Sequence, residues 1–63
     1  MQPHQERVVA EKDELDSKLK KLDMFIHGDV YSGLDEAERL RLMRQYRHMK
    51  DYSNVLGERI AEF

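Results

Sequence analysis

The chain has 63 residues, a net charge of −2, 38% charged residues and no cysteine. A chain this short buries only about 60% of its unfolded surface, so we expect stability to come partly from oligomerisation. The absence of cysteine excludes disulfides and thiolate metal sites. The three histidines lie too far apart for a zinc-ligand spacing, and neither a metal nor a cofactor is expected.

Membrane insertion and secretion are not expected either. No apolar run approaches the roughly 18 residues that a membrane-spanning helix needs. The first residues also lack the apolar core of a signal peptide. These features predict a cytoplasmic protein that does not bind a membrane.

The first predicted element is a helix over residues 3–27. Pro3 suits the first helical position, where its missing N–H costs nothing. Val8, Leu15 and Leu22 then recur every seven residues, which is a helical period. Two pairs of opposite charge stand four residues apart and should support the helix locally: Arg7 with Glu11, and Glu14 with Lys18.

A loop is predicted over residues 28–34. Gly28 is placed as a left-handed cap at the end of the first helix. Val30 and Tyr31 are apolar for a loop and should fold back over the end of the hairpin. A connection this short makes the two flanking helices antiparallel neighbours.

The second helix is predicted over residues 35–62. Asp35 and Glu38 have the spacing of a capping box. Gly57 is either a local weakness of about 1 kcal/mol relative to Ala or a point of close approach for another chain. The apolar stripe again has a seven-residue period: Leu42, Met49 and Leu56.

Folding the chain about Tyr31 pairs the two stripes in layers. The apolar layers match Leu22 with Leu42, Leu15 with Met49, and Val8 with Leu56. The polar layers between them place Lys18 near Gln45, Glu11 near Tyr52, and His4 near Arg59. Because one seam cannot cover so wide an apolar arc, the predicted fold class is all-α. It is a single-domain antiparallel two-helix hairpin that assembles into a homo-oligomeric bundle.

Two groups of polar residues could bind a ligand. One is a basic band in the half of the hairpin near the loop, which could attract phosphates or be a solvated face or register-setting rim. The other is the set of polar layers. They could line a pocket in which Tyr52 stacks on a base and Arg59 donates hydrogen bonds, or form a buried network that fixes register. The band comprises Lys18, Lys20, Lys21, Arg39, Arg41, Arg44, Arg47 and Lys50.

The sequence contains no catalytic motif. There is no Ser or Cys nucleophile with a base and an orienting group, no Gly-rich phosphate loop and no cluster of metal ligands. We therefore expect a protein that is not an enzyme. The negative net charge makes stable nucleic-acid binding the weakest of the binding hypotheses.

A family resemblance extends over nearly the whole chain. Its residues are Arg7-Val8-Val9, Glu11-Lys12, Glu14-Leu15, Lys18, Leu22, Phe25-Ile26, Leu34, Glu38, Gln45, Met49, Tyr52, Leu56 and Arg59-Ile60. This pattern resembles small phage helical-hairpin proteins related to the anti-CBASS and anti-Thoeris sponge proteins. Those sponges sequester cyclic oligonucleotide or cyclic ADP-ribose signals without cleaving them.

The resemblance implies a phage-encoded homo-oligomer in the host cytoplasm, with cyclic di- or trinucleotides bound between hairpins. Lysine and arginine would hold phosphates, and aromatic rings would stack on bases. One departure is the short segment before Arg7, which offers His4 in place of a phenol. The ligand-binding residues that the resemblance implies are Arg7, Lys18, Gln45, Tyr52 and Arg59. The alternative is a structural or adaptor hairpin that binds a host or phage protein through its apolar stripe.

Overall fold

The structure, a computed structural model, describes all 63 residues and contains helices but no strand. Helix α1 spans Pro3–Ile26, α2 is a single turn over Asp29–Ser32, and α3 spans Glu36–Ala61. Residues early in α1 meet residues late in α3, so the two long helices are antiparallel. The hairpin measures 46 × 15 × 13 Å. The predicted all-α helix pair is confirmed, and its assembly into an oligomer stays a prediction.

The two long helices begin differently. Pro3 is the first residue of α1, and the Gln5 side-chain oxygen accepts a hydrogen bond from the Gln2 N–H at 2.8 Å. Asp35 precedes α3, but its side chain makes no capping hydrogen bond. Glu38 instead accepts a bond from Arg41 Nε at 2.8 Å. The predicted capping box is wrong because this charge-assisted bond occupies the Glu38 carboxylate.

The connection between the long helices is more ordered than a loop, because residues 28–34 contain α2. Gly28 has a φ of −99° and stands at the N-terminus of α2, so it is not the predicted left-handed cap. The Tyr31 hydroxyl donates to the Arg39 carbonyl at 3.3 Å, which ties the turn to α3. Val30 is 66% exposed and does not fold back. The apolar character of this segment predicted only the position of Tyr31 correctly.

The core lies in the middle of the seam between α1 and α3. Val8, Leu15 and Leu56 form its buried cluster, and Met49 and Ile60 pack against it. These contacts agree with the predicted apolar layers at this end of the hairpin. Only 4 of 63 residues are buried, so a single hairpin has little core with which to offset its conformational entropy.

Much apolar surface stays exposed on the hairpin. Neither long helix contains an apolar stretch that could cross a bilayer. The large hydrophobic side chains that remain exposed are Met1, Met24, Phe25, Val30, Leu40, Met43, Tyr52, Val55 and Phe63.

Candidate functional site

A groove lies on each side of the seam between α1 and α3. The first, the Tyr52 groove, has a volume of about 180 Å³. Its lining residues are Glu11, Glu14, Leu15, Lys18 and Tyr52. The second, the Tyr46 groove, has a volume of about 270 Å³. Its lining residues are Asp16, Leu19, Lys20, Asp23, Tyr46, Lys50, Ser53 and Asn54.

The Tyr52 groove forms because heptad spacing aligns polar residues along one edge of each helix. Glu11 and Lys18 are seven residues apart on α1, and Tyr52 reaches the same groove from α3. Tyr52 is 45% exposed. The predicted polar layers therefore lie at the surface of the hairpin and not inside its seam. Long polar side chains can reach solvent from this edge, whereas burial without partners would destabilise the fold.

The charges of the Tyr52 groove are loosely held. Lys18 Nζ lies 3.5 Å from a Glu14 oxygen, and the two side chains are 64% and 73% exposed. An exposed pair of this kind contributes about 0–1 kcal/mol. The expected ion pair between Arg7 and Glu11 does not form. Lys18 and Glu11 are thus available to a ligand at little cost.

The remaining candidate residues lie along the same side of the hairpin but outside the groove. Gln45 and Arg59 stand one heptad before and after Tyr52, about 10.5 Å away along the helix axis. Gln45 is exposed, and its side-chain nitrogen lies 3.8 Å from the Met49 sulfur. Arg7 and Arg59 are exposed without ion-pair partners. Of the five candidates, the structure brings only Lys18 and Tyr52 into one groove.

The predicted basic band does not form one surface. Lys18 lines the Tyr52 groove, whereas Lys20 and Lys50 line the Tyr46 groove. Arg41 is paired with an acid of its own helix, and the Nε atom of Arg39 is buried without a hydrogen-bond partner. Basic residues at similar heights along two helices therefore divide between the two sides of the seam.

Sequence reasoning missed a polar cluster that joins the two helices, which we call the Lys12 cluster (Lys12, Asp16 and Ser53). Lys12 Nζ donates to Asp16 Oδ2 at 2.8 Å and to Ser53 Oγ at 3.0 Å, and the Ser53 hydroxyl donates to Asp16 Oδ1. Ser53 is 6% exposed. Hydrogen bonds from Lys12 and then Ser53 lower the pKa of Asp16. The available signal was a small polar residue between Met49 and Leu56 in the apolar stripe.

Gly57 makes room for this cluster. A Cβ atom at position 57 would lie 3.3 Å from Lys12 Cε. The close neighbour of this glycine is therefore the aliphatic stem of Lys12 from the same chain. Neither groove collects three or more His, Asp or Glu side chains in an arrangement that could hold a metal ion.

Comparison with known proteins places this hairpin in a family. Residues 2–62 match the family model described as Sequestin. The chain is also 33% identical over 63 residues to a protein of Enterobacteria phage T4, described as the uncharacterized 7.5 kDa protein in the denB–rIIB intergenic region. That alignment covers 100% of this chain and 98% of the phage protein. No solved structure gives a match. The chain belongs to the Sequestin family.

Proposed function

We propose that this protein is a phage-encoded sponge that binds a cyclic oligonucleotide immune signal in the host cytoplasm and holds it without cleaving it. The observation that carries this proposal is the match to the Sequestin family over residues 2–62. The family name favours sequestration, and the full-length similarity to a T4 protein favours a phage origin.

The chemistry of the Tyr52 groove supports a nucleotide as the ligand. The exposed ring of Tyr52 offers a surface on which a base can stack. Lys18 supplies an ammonium group for a phosphate, and its present partner Glu14 is easily displaced. Glu11 supplies a carboxylate that can accept from a base amino group or a ribose hydroxyl.

A second copy of the chain would complete this site. At about 180 Å³, the groove is smaller than the roughly 300–1,000 Å³ of pockets that enclose drug-sized ligands. Phe25 stands seven residues after Lys18 and Val55 three residues after Tyr52, and both are exposed on this side. A facing hairpin would cover these apolar side chains. It would also bring the free guanidinium groups of Arg7 and Arg59 toward the phosphates. We therefore include a homo-oligomer in the proposal.

The proposal is one of binding and not of catalysis. Glu11, Lys18 and Tyr52 are solvent-exposed, whereas enzymes rely on preorganised groups in sites that exclude water. No Ser or Cys side chain lines the Tyr52 groove as a nucleophile. A bound signal should therefore return to solution unchanged when the protein is denatured.

A thermal-shift screen tests the function. The panel contains cyclic dinucleotides, cyclic trinucleotides and cyclic ADP-ribose isomers, with a linear dinucleotide as the control. A ligand present at about 100 times its Kd stabilises the folded state by about 2.7 kcal/mol. For a chain of this size the melting temperature should rise by about 10 °C or more. Mass spectrometry of the heat-released ligand should give the intact cyclic mass.

Matched variants locate the binding. Tyr52→Ala should abolish the thermal shift, and Tyr52→Phe should retain it because the ring is kept. Lys18→Gln should weaken binding at least about tenfold, a change of about 1.4 kcal/mol. Lys21→Gln removes the same charge from the same helix outside the groove and should change binding little. A panel without any shift, or a cleaved product, would end the sponge proposal.

The exposed apolar residues of α3 favour a second candidate, an adaptor hairpin. Leu40 and Met43 are 63% and 41% exposed. Such side chains could anchor a host or phage protein. This role predicts no response to any cyclic nucleotide. It also predicts a defined partner whose binding is lost in the Leu40→Ser/Met43→Ser variant but is retained in Tyr52→Ala.

A further inference from the structure

We propose that the Tyr46 groove is a second ligand site, which takes a nucleoside monophosphate. It lies on the opposite side of the seam from the Tyr52 groove and shares no lining residue with it. The inference does not depend on the sponge function.

Two lysines without ion-pair partners converge on this groove. Lys20 enters from α1 and Lys50 from α3. The ion pairs of the chain involve Lys12, Lys18, His27 and Arg41 as the cations, so neither groove lysine is neutralised. Two like charges brought together by separate helices repel one another, and an anion bound between them would relieve that repulsion.

The two acids that line the groove do not take the place of that anion. Asp16 is held by Lys12 and Ser53 inside the Lys12 cluster. Asp23 lies 3.6 Å from His27 Nδ1 on the side of the groove toward the turn. The Asp23 carboxylate can accept a hydrogen bond from a ribose hydroxyl, as acidic residues do in dinucleotide-binding folds. The groove therefore combines a place for a phosphate with a place for a sugar.

The rest of the lining suits a base. Tyr46 and Leu19 are half-buried and form an apolar wall against which a ring can lie. Asn54 adds an amide with both a donor and an acceptor for the edge of a base. The volume of about 270 Å³ stands at the lower end of ligand pockets, which favours a single nucleotide over a larger cyclic oligomer.

The seam keeps the two grooves independent. Leu15 and Leu56 are buried between them, and the Lys12 cluster fixes the position of α1 against α3 on the Tyr46 side. A ligand on one side can therefore bind without displacing a ligand on the other side. Substitutions in one groove should leave binding in the other unchanged.

An NMR titration of the full chain with adenosine monophosphate tests the second site. The amide signals of Leu19, Lys20, Tyr46, Lys50 and Asn54 should move together. Inorganic phosphate alone and adenosine alone should each bind more weakly, because each engages only part of the groove. Lys20→Gln and Lys50→Gln should each raise the Kd at least about tenfold.

The matched control is Lys21→Gln, which removes the same charge from the next residue of α1, outside the groove. It should change the Kd by less than about twofold, well under 1.4 kcal/mol. Equal weakening in Lys20→Gln and Lys21→Gln would reduce the binding to diffuse charge attraction and overturn the proposal.

Two other results would also overturn the second site. One is a set of shifts centred on Tyr52, which would place the nucleotide in the other groove. The other is a change of oligomeric mass in Lys20→Gln without any nucleotide binding, which would assign this lysine to a contact between copies. Tyr52→Ala separates the two proposals. It should abolish the binding of a cyclic signal and leave adenosine monophosphate binding intact.

Discussion

The two sides of the hairpin seam use the same kinds of residue in opposite ways. On the Tyr46 side, Lys12 is bonded to Asp16 and Ser53, and its side chain is only 28% exposed. On the Tyr52 side, Lys18 has only a loose partner on its own helix and is 64% exposed. The two lysines are less than two helical turns apart. A polar residue beside the seam thus becomes structural only where the facing helix supplies a partner, and elsewhere it stays free for a ligand.

Leu56 lies between the two sides and sets the scale for every other change. It is 1% exposed and is the most deeply buried residue of a small core. Leu56→Ala should destabilise the chain by about 2–5 kcal/mol, which is comparable with the whole stability of a small domain. Urea unfolding followed by circular dichroism measures the loss. Val55→Ala, at a position that is 50% exposed, is the control, and an equal loss there would contradict the assigned core.

Ser53→Ala tests the structural side of the comparison. The substitution removes bonds to two charged partners while adding a better helix former. The net result should be a loss of about 1 kcal/mol in unfolding free energy. Asn54→Ala changes the next, exposed residue of α3 and should be neutral or slightly stabilising. If Ser53→Ala were as neutral as Asn54→Ala, the Lys12 cluster would contribute no net stability.

Gly57→Ala asks how tightly Lys12 is held. Alanine gains up to about 1 kcal/mol of helix propensity over glycine. The new Cβ would stand 3.3 Å from Lys12 Cε, so the lysine stem must move by a few tenths of an ångström. Because that stem is flexible, we expect a net gain of less than about 1 kcal/mol in thermal unfolding. A net loss would mean that the Lys12 cluster is too rigid to adjust.

The smallest expected effect is on the pH dependence of stability. The pKa of Asp16 is lowered from its ordinary value of 3.8, chiefly by the hydrogen bond from Lys12 and then by that from Ser53. A lowered pKa in the folded state stabilises the protein above the unfolded pKa. That contribution is lost as the pH falls from about 3.8 through the lowered value.

Asp16→Asn should therefore flatten the acid limb of a melting-temperature profile measured below pH 4. Glu14→Gln, at a side chain that is 73% exposed, provides the comparison and should leave the limb nearly unchanged. Equal flattening by both substitutions would argue against a specific role for the Lys12 cluster.

Periodicity alone was enough to predict the long helices and their pairing. Val8, Leu15, Met49 and Leu56 recur at a helical period, and the predicted layers agree with the contacts of the core. The ends and the turn were harder to predict, because they depend on individual hydrogen bonds. Glu38 satisfied Arg41 and not the start of α3, and Gly28 adopted an ordinary negative φ. The same heptad arithmetic placed Glu11, Lys18 and Tyr52 together, but it put them inside the seam.

The sequence by itself determined that this protein is a helical hairpin with a heptad seam, because side-chain periodicity follows from backbone geometry. Only the tertiary structure decided which polar residues are used within the fold. The rotation of each helix about its axis selects the side of the seam on which a residue lies. That rotation buries Ser53 against Lys12 and leaves Tyr52 exposed, although the two residues are adjacent in the chain. It also divides Lys18 from Lys20 and gives the hairpin two grooves in place of one basic band.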